Sequence, residues 1–136
     1  MEKENIVKEK SYKFSLRIVK LFKYLVEIKK EFLLSKQVLR CGTSIGANIE
    51  EAIGGITKKD FINKVFIAYK EARETHYRIR LLRDSDYLEN NISESLLFEC
   101  EEIIKLTGKI ISTSRKTIEH WTLISWSSSV GRAADS

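Results

Sequence analysis

The residues best suited to nucleophilic or metal chemistry are Cys41, His76, Cys100 and His120, and they lie on four separate segments. Zinc needs clustered Cys and His donors, and no close ligand pair exists here. A di-iron site in a helical bundle needs paired Glu-x-x-His motifs facing inward. The residues three before His76 and His120 are Arg73 and Thr117, so that motif is absent. A Cys–His nucleophile requires an exposed thiol beside an imidazole, whereas Cys41 and Cys100 both fall on apolar stripes. They read as inert core thiols of a reducing compartment. No G-x-x-x-x-G-K-[ST] loop is present to cradle phosphate. The expectation is a protein that is not an enzyme and takes no metal, no cofactor and no small-molecule substrate.

Two other constellations remain. Arg40, Ser44, Asn48 and Glu51 are spaced 4-4-3, which aligns them on one helix face. Lys70, Arg73, Glu74 and Tyr77 form a comparable line further on. If the two faces meet, Ser44 and Asn48 would satisfy Glu74 or Arg73 in a buried polar network that specifies packing. The alternative is a solvated stripe. The second constellation is basic. Net charge is +5, and residues 1–33 hold nine Lys or Arg against five Asp or Glu, while 57–90 hold eight against six. Such an excess suits an anionic partner; a lysine-rich solvated surface is the other reading of the charge.

The elements that must carry these residues are helices. The chain has 136 residues, 43% hydrophobic and 32% charged, with no proline, which fits one globular domain free of its strongest helix breaker. Phe14, Ile18, Leu21, Leu25 and Ile28 recur at 4-3-4-3 and predict a helix over 5–31. Val38, Cys41, Ile45, Ile49 and Ile53 predict a second over 36–53, with Ser35 as its cap. Gly42 and Gly46 inside it point to close approach by a neighbour, and Gly54-Gly55 ends it where glycine tolerates the left-handed backbone. Thr57 with Asp60 opens a third helix, 58–84, in the manner of a capping box. It carries two apolar lines, Phe61, Val65, Ala68, Ala72, Ile79 and Leu82, and Ile62, Phe66, Tyr69 and Tyr77. The second line calls for a second partner, such as another subunit. A fourth helix spans 92–116. Short links favour antiparallel neighbours, so the fold class is all-α, an up-down-up-down four-helix bundle over 1–118. Residues 119–136 show no helical stripe and little charge and are expected to form a disordered or non-native tail. No apolar run reaches the roughly 18 residues of a membrane span. The start, Met1-Glu2-Lys3-Glu4-Asn5, lacks a signal-peptide core. A cytoplasmic location is expected.

The stretch Gln37-Val38-Leu39-Arg40-Cys41-Gly42-Thr43-Ser44-Ile45-Gly46-Ala47-Asn48-Ile49-Glu50-Glu51-Ala52 resembles the signature of the four helix bundle proteins. These are encoded by intervening sequences in bacterial 23S ribosomal RNA genes and often called S23 ribosomal proteins. Asp60-Phe61-Ile62 and Ile67-Ala68-Tyr69-Lys70-Glu71-Ala72-Arg73-Glu74-Thr75 also match, so the resemblance covers about 10–118. Many members carry proline where Gly46 stands and glycine where Ala52 stands. The resemblance implies an antiparallel bundle assembled into a homo-oligomeric ring, typically a pentamer. It also implies kinship with a bundle that accompanies the reverse transcriptase of diversity-generating retroelements, where a basic ring surface engages RNA and the enzyme.

These lines join in one expectation: a bacterial ring-forming protein that binds structured RNA or an RNA–protein complex. The phosphate contacts expected are Lys13, Arg17, Lys20 and Lys23 on the first helix and Arg78, Arg80 and Arg83 on the third. No recognised RNA module or stacking platform is evident, so sequence-specific readout is not expected. The rival is a protein-interaction scaffold with no nucleic-acid role.

Overall fold

The computed structural model describes residues 2–116 with their side chains. Its helices are α1 (Glu2–Glu27), α2 (Leu34–Ile53), α3 (Lys58–Asp84) and α4 (Asn90–Asp135). Side chains from residue 117 on, and so those of the tail expected over 119–136, lie outside the described residues.

Topology follows from the links. The 20 residues of α2 extend about 30 Å, while the four residues 54–57 reach at most about 14 Å. The chain therefore turns back and α3 runs antiparallel to α2. The same argument holds for the segments 28–33 and 85–89. Each helix packs on its sequence neighbours and α4 returns to α1, with that seam the thinnest; no Cα of a diagonal helix pair comes within 8 Å of the other. This is the expected four-helix bundle.

The core is built by the apolar stripes. Phe14, Ile18 and Leu25 of α1, Val38, Ile45 and Ile49 of α2, Val65, Ala72, Ile79 and Leu82 of α3, and Leu96, Cys100 and Ile103 of α4 join in one buried cluster. Buried hydroxyls answer to their own helices. Ser11 donates to the Lys8 carbonyl at 3.1 Å, Thr75 to Glu71 at 2.7 Å and Thr107 to Ile103 at 2.7 Å. These hydroxyls are thereby satisfied within their own helices, and Thr75 also meets the Cys41 thiol of α2.

Three expected details differ. The first helix ends at Glu27, four residues early, because the amides of Ile28 and Lys29 both turn back onto the Tyr24 carbonyl and Lys30 adopts φ 55°. Ile28, the last residue of the expected stripe, is 66% exposed. Ser35 does not cap α2. It lies within the helix, and the Glu31 carboxylate accepts from the amides of Leu33, Leu34 and Ser35 at 3.0, 2.9 and 2.7 Å. Gly54 ends α2 at φ −81°, not in the left-handed region. Thr57 caps α3 as expected, accepting from the Asp60 amide at 3.1 Å.

Candidate nucleic-acid interface

The basic residues singled out by sequence do not share one face, because α1 and α3 stand diagonally. Most are also neutralised. Lys13 pairs with Glu9 at 2.8 Å, Arg17 with Glu99 at 2.7 Å and Arg83 with Asp84 at 2.8 Å. Arg78 holds Glu74 at 2.8 Å and donates to Gln37 Oε1 at 2.7 Å. Lys20 and Lys23 stand exposed on α1 without a carboxylate within 4 Å among the described residues. At the end of the bundle carrying the α1–α2 and α3–α4 links, Arg83 lines one shallow cavity with Lys29, which is outside the expected set.

The expected polar network divides. Arg40 bridges to Glu71 at 3.2 Å and to Glu74, joining α2 to α3. Ser44 and Asn48 take no part. Ser44 donates to the Cys41 carbonyl at 3.0 Å and Asn48 to the Ser44 carbonyl at 2.8 Å, so both are satisfied inside α2. Glu51 pairs instead with Lys64 at 3.5 Å. The Arg40 side chain is 56% exposed, so the cluster is a surface clasp and not a buried network. Arg78, then Arg40, hold the Glu74 carboxyl below the ordinary glutamate range against the opposing pull of burial.

Arg73 departs from that network altogether. It turns to the outer face of α3, where Phe66, Lys70, Arg73, Tyr77 and Arg80 follow at 4-3-4-3. Phe66 stacks with Tyr69, ring centroids 6.4 Å apart and planes 19° from parallel. Lys70 and Arg115 lie over the Phe66 ring at 5.6 and 5.3 Å. Arg73 lies over Tyr69 at 5.8 Å and donates to its hydroxyl at 3.1 Å, and Arg80 lies over Tyr77 at 5.8 Å. Among the described residues none of these four cations has a carboxylate within 4 Å. Tyr77 is 51% exposed and Phe66 37%. Of the second apolar line, Ile62 is buried in the bundle and Tyr69 is half-buried, close to Gly108 of α4. The sequence reading split this ridge between an apolar line and a polar line and saw no stacking platform. Aromatic and basic residues sharing one face at helical spacing were the available signal.

The residues considered for catalysis are occupied elsewhere. Cys41 and Cys100 are buried and unpaired. Burial pushes both thiols up, Cys100 to about 12. His76 Nε2 lies 3.0 Å from Glu101 on α4, and His120 lies outside the described residues. Among the described residues no three His, Cys, Asp or Glu side chains gather in a metal-holding group, and no helix is long and apolar enough to cross a membrane.

Comparison with known proteins adds a family. The sequence model of the 23S rRNA-intervening sequence protein family matches residues 3–109. Among solved structures, the chain is similar to a protein of unknown function from the S23 ribosomal protein family of Bacteroides thetaiotaomicron. The two are 51% identical, the match covers 81% of this chain and 98% of that one, and the TM-score is 0.80. No curated protein sequence matches.

Proposed function

This chain belongs to the 23S rRNA-intervening sequence protein family, and from that premise we propose that it is a non-enzymatic RNA-binding protein of the cytoplasm that assembles into a homo-oligomeric ring. The observation that carries the proposal is the set of four cations, Lys70, Arg73, Arg80 and Arg115, held by aromatic rings and, among the described residues, not by carboxylates. A salt-bridged arginine gives up its partner before it takes a phosphate. These give up only a weak ring contact, so their charge is open to a polyanion. Self-assembly, with a pentamer implied by the family resemblance, is supported by large exposed apolar side chains that one bundle leaves uncovered, among them Tyr12 and Leu16 on α1 and Phe98 on α4.

The test is fluorescence anisotropy with a structured RNA across a salt series, with mass from light scattering in the same buffers. Submicromolar binding that weakens steeply with salt, from a species several chains in mass, is the expected result. Absence of binding even at low salt rejects the RNA role and leaves a protein-interaction scaffold. A monomeric mass rejects the ring.

A further inference from the structure

Resting on the reading that this protein binds RNA, we infer that the outer ridge of α3 receives unpaired nucleotides, with bases stacked on Tyr77, Phe66 and the arginine planes and phosphates held by Lys70, Arg73, Arg80 and Arg115. The ridge runs from Phe66 to Arg80, about 21 Å at the rise of an α-helix, with rings at Phe66 and Tyr77 and cations at Lys70, Arg73 and Arg80. Duplex RNA has no use for such rings. Its bases are stacked inside, its major groove is too narrow for side chains, and its recognition rests on phosphates and 2′-hydroxyls. Rings interleaved with cations are the chemistry of single-strand binding, where each base offers a π-face and the backbone follows the charge.

A second copy of the chain is the competing occupant, and charge argues against it. Covering the ridge with protein would desolvate four cations that have no carboxylate within 4 Å among the described residues. The nearest acids are already engaged, Glu71 and Glu74 by Arg40, Glu74 also by Arg78, and Asp84 by Arg83, so that Asp84 reaches Arg80 only through its field. A strand of phosphates supplies the missing charge at each cation. Arg80 over the half-exposed Tyr77 ring is the most open station, while Phe66 is already flanked by Tyr69, Lys70 and Arg115. Stacking should therefore depend most on Tyr77.

The test uses the full chain with a labelled, unstructured oligoadenylate of about twelve nucleotides and an RNA duplex of equal length. Wild type is compared with Tyr77→Leu, with Phe66→Leu/Tyr77→Leu and with Lys70→Gln/Arg80→Gln, each checked for mass by light scattering and for helicity by circular dichroism. Single-strand binding at least tenfold tighter than duplex binding is expected. Tyr77→Leu should weaken the single strand about tenfold and leave the duplex unchanged, and Lys70→Gln/Arg80→Gln should flatten the single-strand salt slope by about 1.4. Equal binding of both RNAs, or indifference of single-strand affinity to Tyr77→Leu, overturns the inference while the RNA reading stands. Binding of neither RNA removes both. A change of molecular mass in the leucine variants would make the ridge an interface between copies and overturn the inference.

Discussion

A Cβ on Gly42 would stand 2.8 Å from both Cγ1 and Cγ2 of Ile18, closer than real side chains pack. Ile18 is fully buried at the centre of α1, and its branch point leaves it little rotamer freedom in a helix. The glycine is therefore a packing device, letting α2 approach α1 at a distance that alanine forbids. Gly46, one turn on, is looser, since its Cβ would meet Ser15 Oγ at 3.3 Å and the Ser11 carbonyl at 3.4 Å.

Gly42→Ala is accordingly expected to destabilise despite better helix propensity. The propensity gain is about 1 kcal/mol, and overpacking a rigid neighbour costs about 1–3 kcal/mol. A net loss of about 1 kcal/mol should lower Tm by about 3–6 °C. Gly46→Ala should change Tm by less. In the Ile18→Ala background, Gly42→Ala should become neutral or stabilising, because the added methyl then occupies the space the isoleucine vacated. Thermal melts of the four variants check all three statements, and additivity of Gly42→Ala with Ile18→Ala would contradict the contact.

The thiols give a second expectation. Disulfide geometry needs Cα atoms within about 7 Å. Cys41 on α2 and Cys100 on α4 sit on diagonal helices with no Cα pair within 8 Å, so oxidation should not link them within one folded chain. With Cys100 pushed up to about 12 by burial, and Cys41 raised for the same reason, almost no thiolate exists at neutral pH. A thiol-titrating disulfide reagent should count fewer than one reactive thiol per folded chain and two in denaturant. Rapid labelling of the folded protein would contradict the burial.

Much of this architecture was readable from spacing, because apolar periodicity reports which side of a helix is dry. The four helices came from that signal, the Thr57 cap from residue type at a helix start, and the close approach at Gly42 from glycine inside a helix. What spacing could not report was the rotation of one helix against another. Arg73 and Glu74 are neighbours in sequence, yet Glu74 faces Arg40 on α2 while Arg73 faces Tyr69. Lys13 and Arg17 read as free phosphate contacts until their carboxylate partners Glu9 and Glu99 were in place. The cap of α2 was missed for a local reason. Residue type favours Ser35, but a glutamate three residues before the helix and pointing back along it reaches three amides at once.

The Arg40–Glu74–Arg78 cluster predicts unequal effects of its two kinds of member. Arg40 is more than half exposed, so Arg40→Ala should cost less than about 1 kcal/mol and less still in high salt. Glu74→Ala leaves two guanidiniums facing each other, with Arg78 only 24% exposed, and should cost more, about 1–2 kcal/mol. Urea midpoints of the two variants decide the order. Equal losses would mean that Gln37 and Glu71, the other partners of Arg78 and Arg40, hold the two guanidiniums without Glu74.

Glu31 supplies a pH signature. Burial pushes its carboxyl up, but the amides of Leu34, Ser35 and Leu33 together hold it below the ordinary glutamate value. A group whose pKa is lower folded than unfolded binds protons more readily in the unfolded chain. Its stabilisation is therefore complete above the unfolded value, about 4.3, and is lost as pH falls through the lower folded value. Glu31→Ala should cost about 1 kcal/mol at neutral pH, the usual loss for removing a helix cap. Glu31→Gln keeps an acceptor oxygen and should cost less. Because Glu74 is lowered as well, wild type will lose stability in acid for more than one reason. The signature of Glu31 is the difference between wild type and Glu31→Ala. In urea melts from pH 7 down to pH 3, that gap should stay constant to about pH 5 and narrow below it. A gap that holds its neutral-pH size into acid would show that the carboxylate charge does not hold the start of α2.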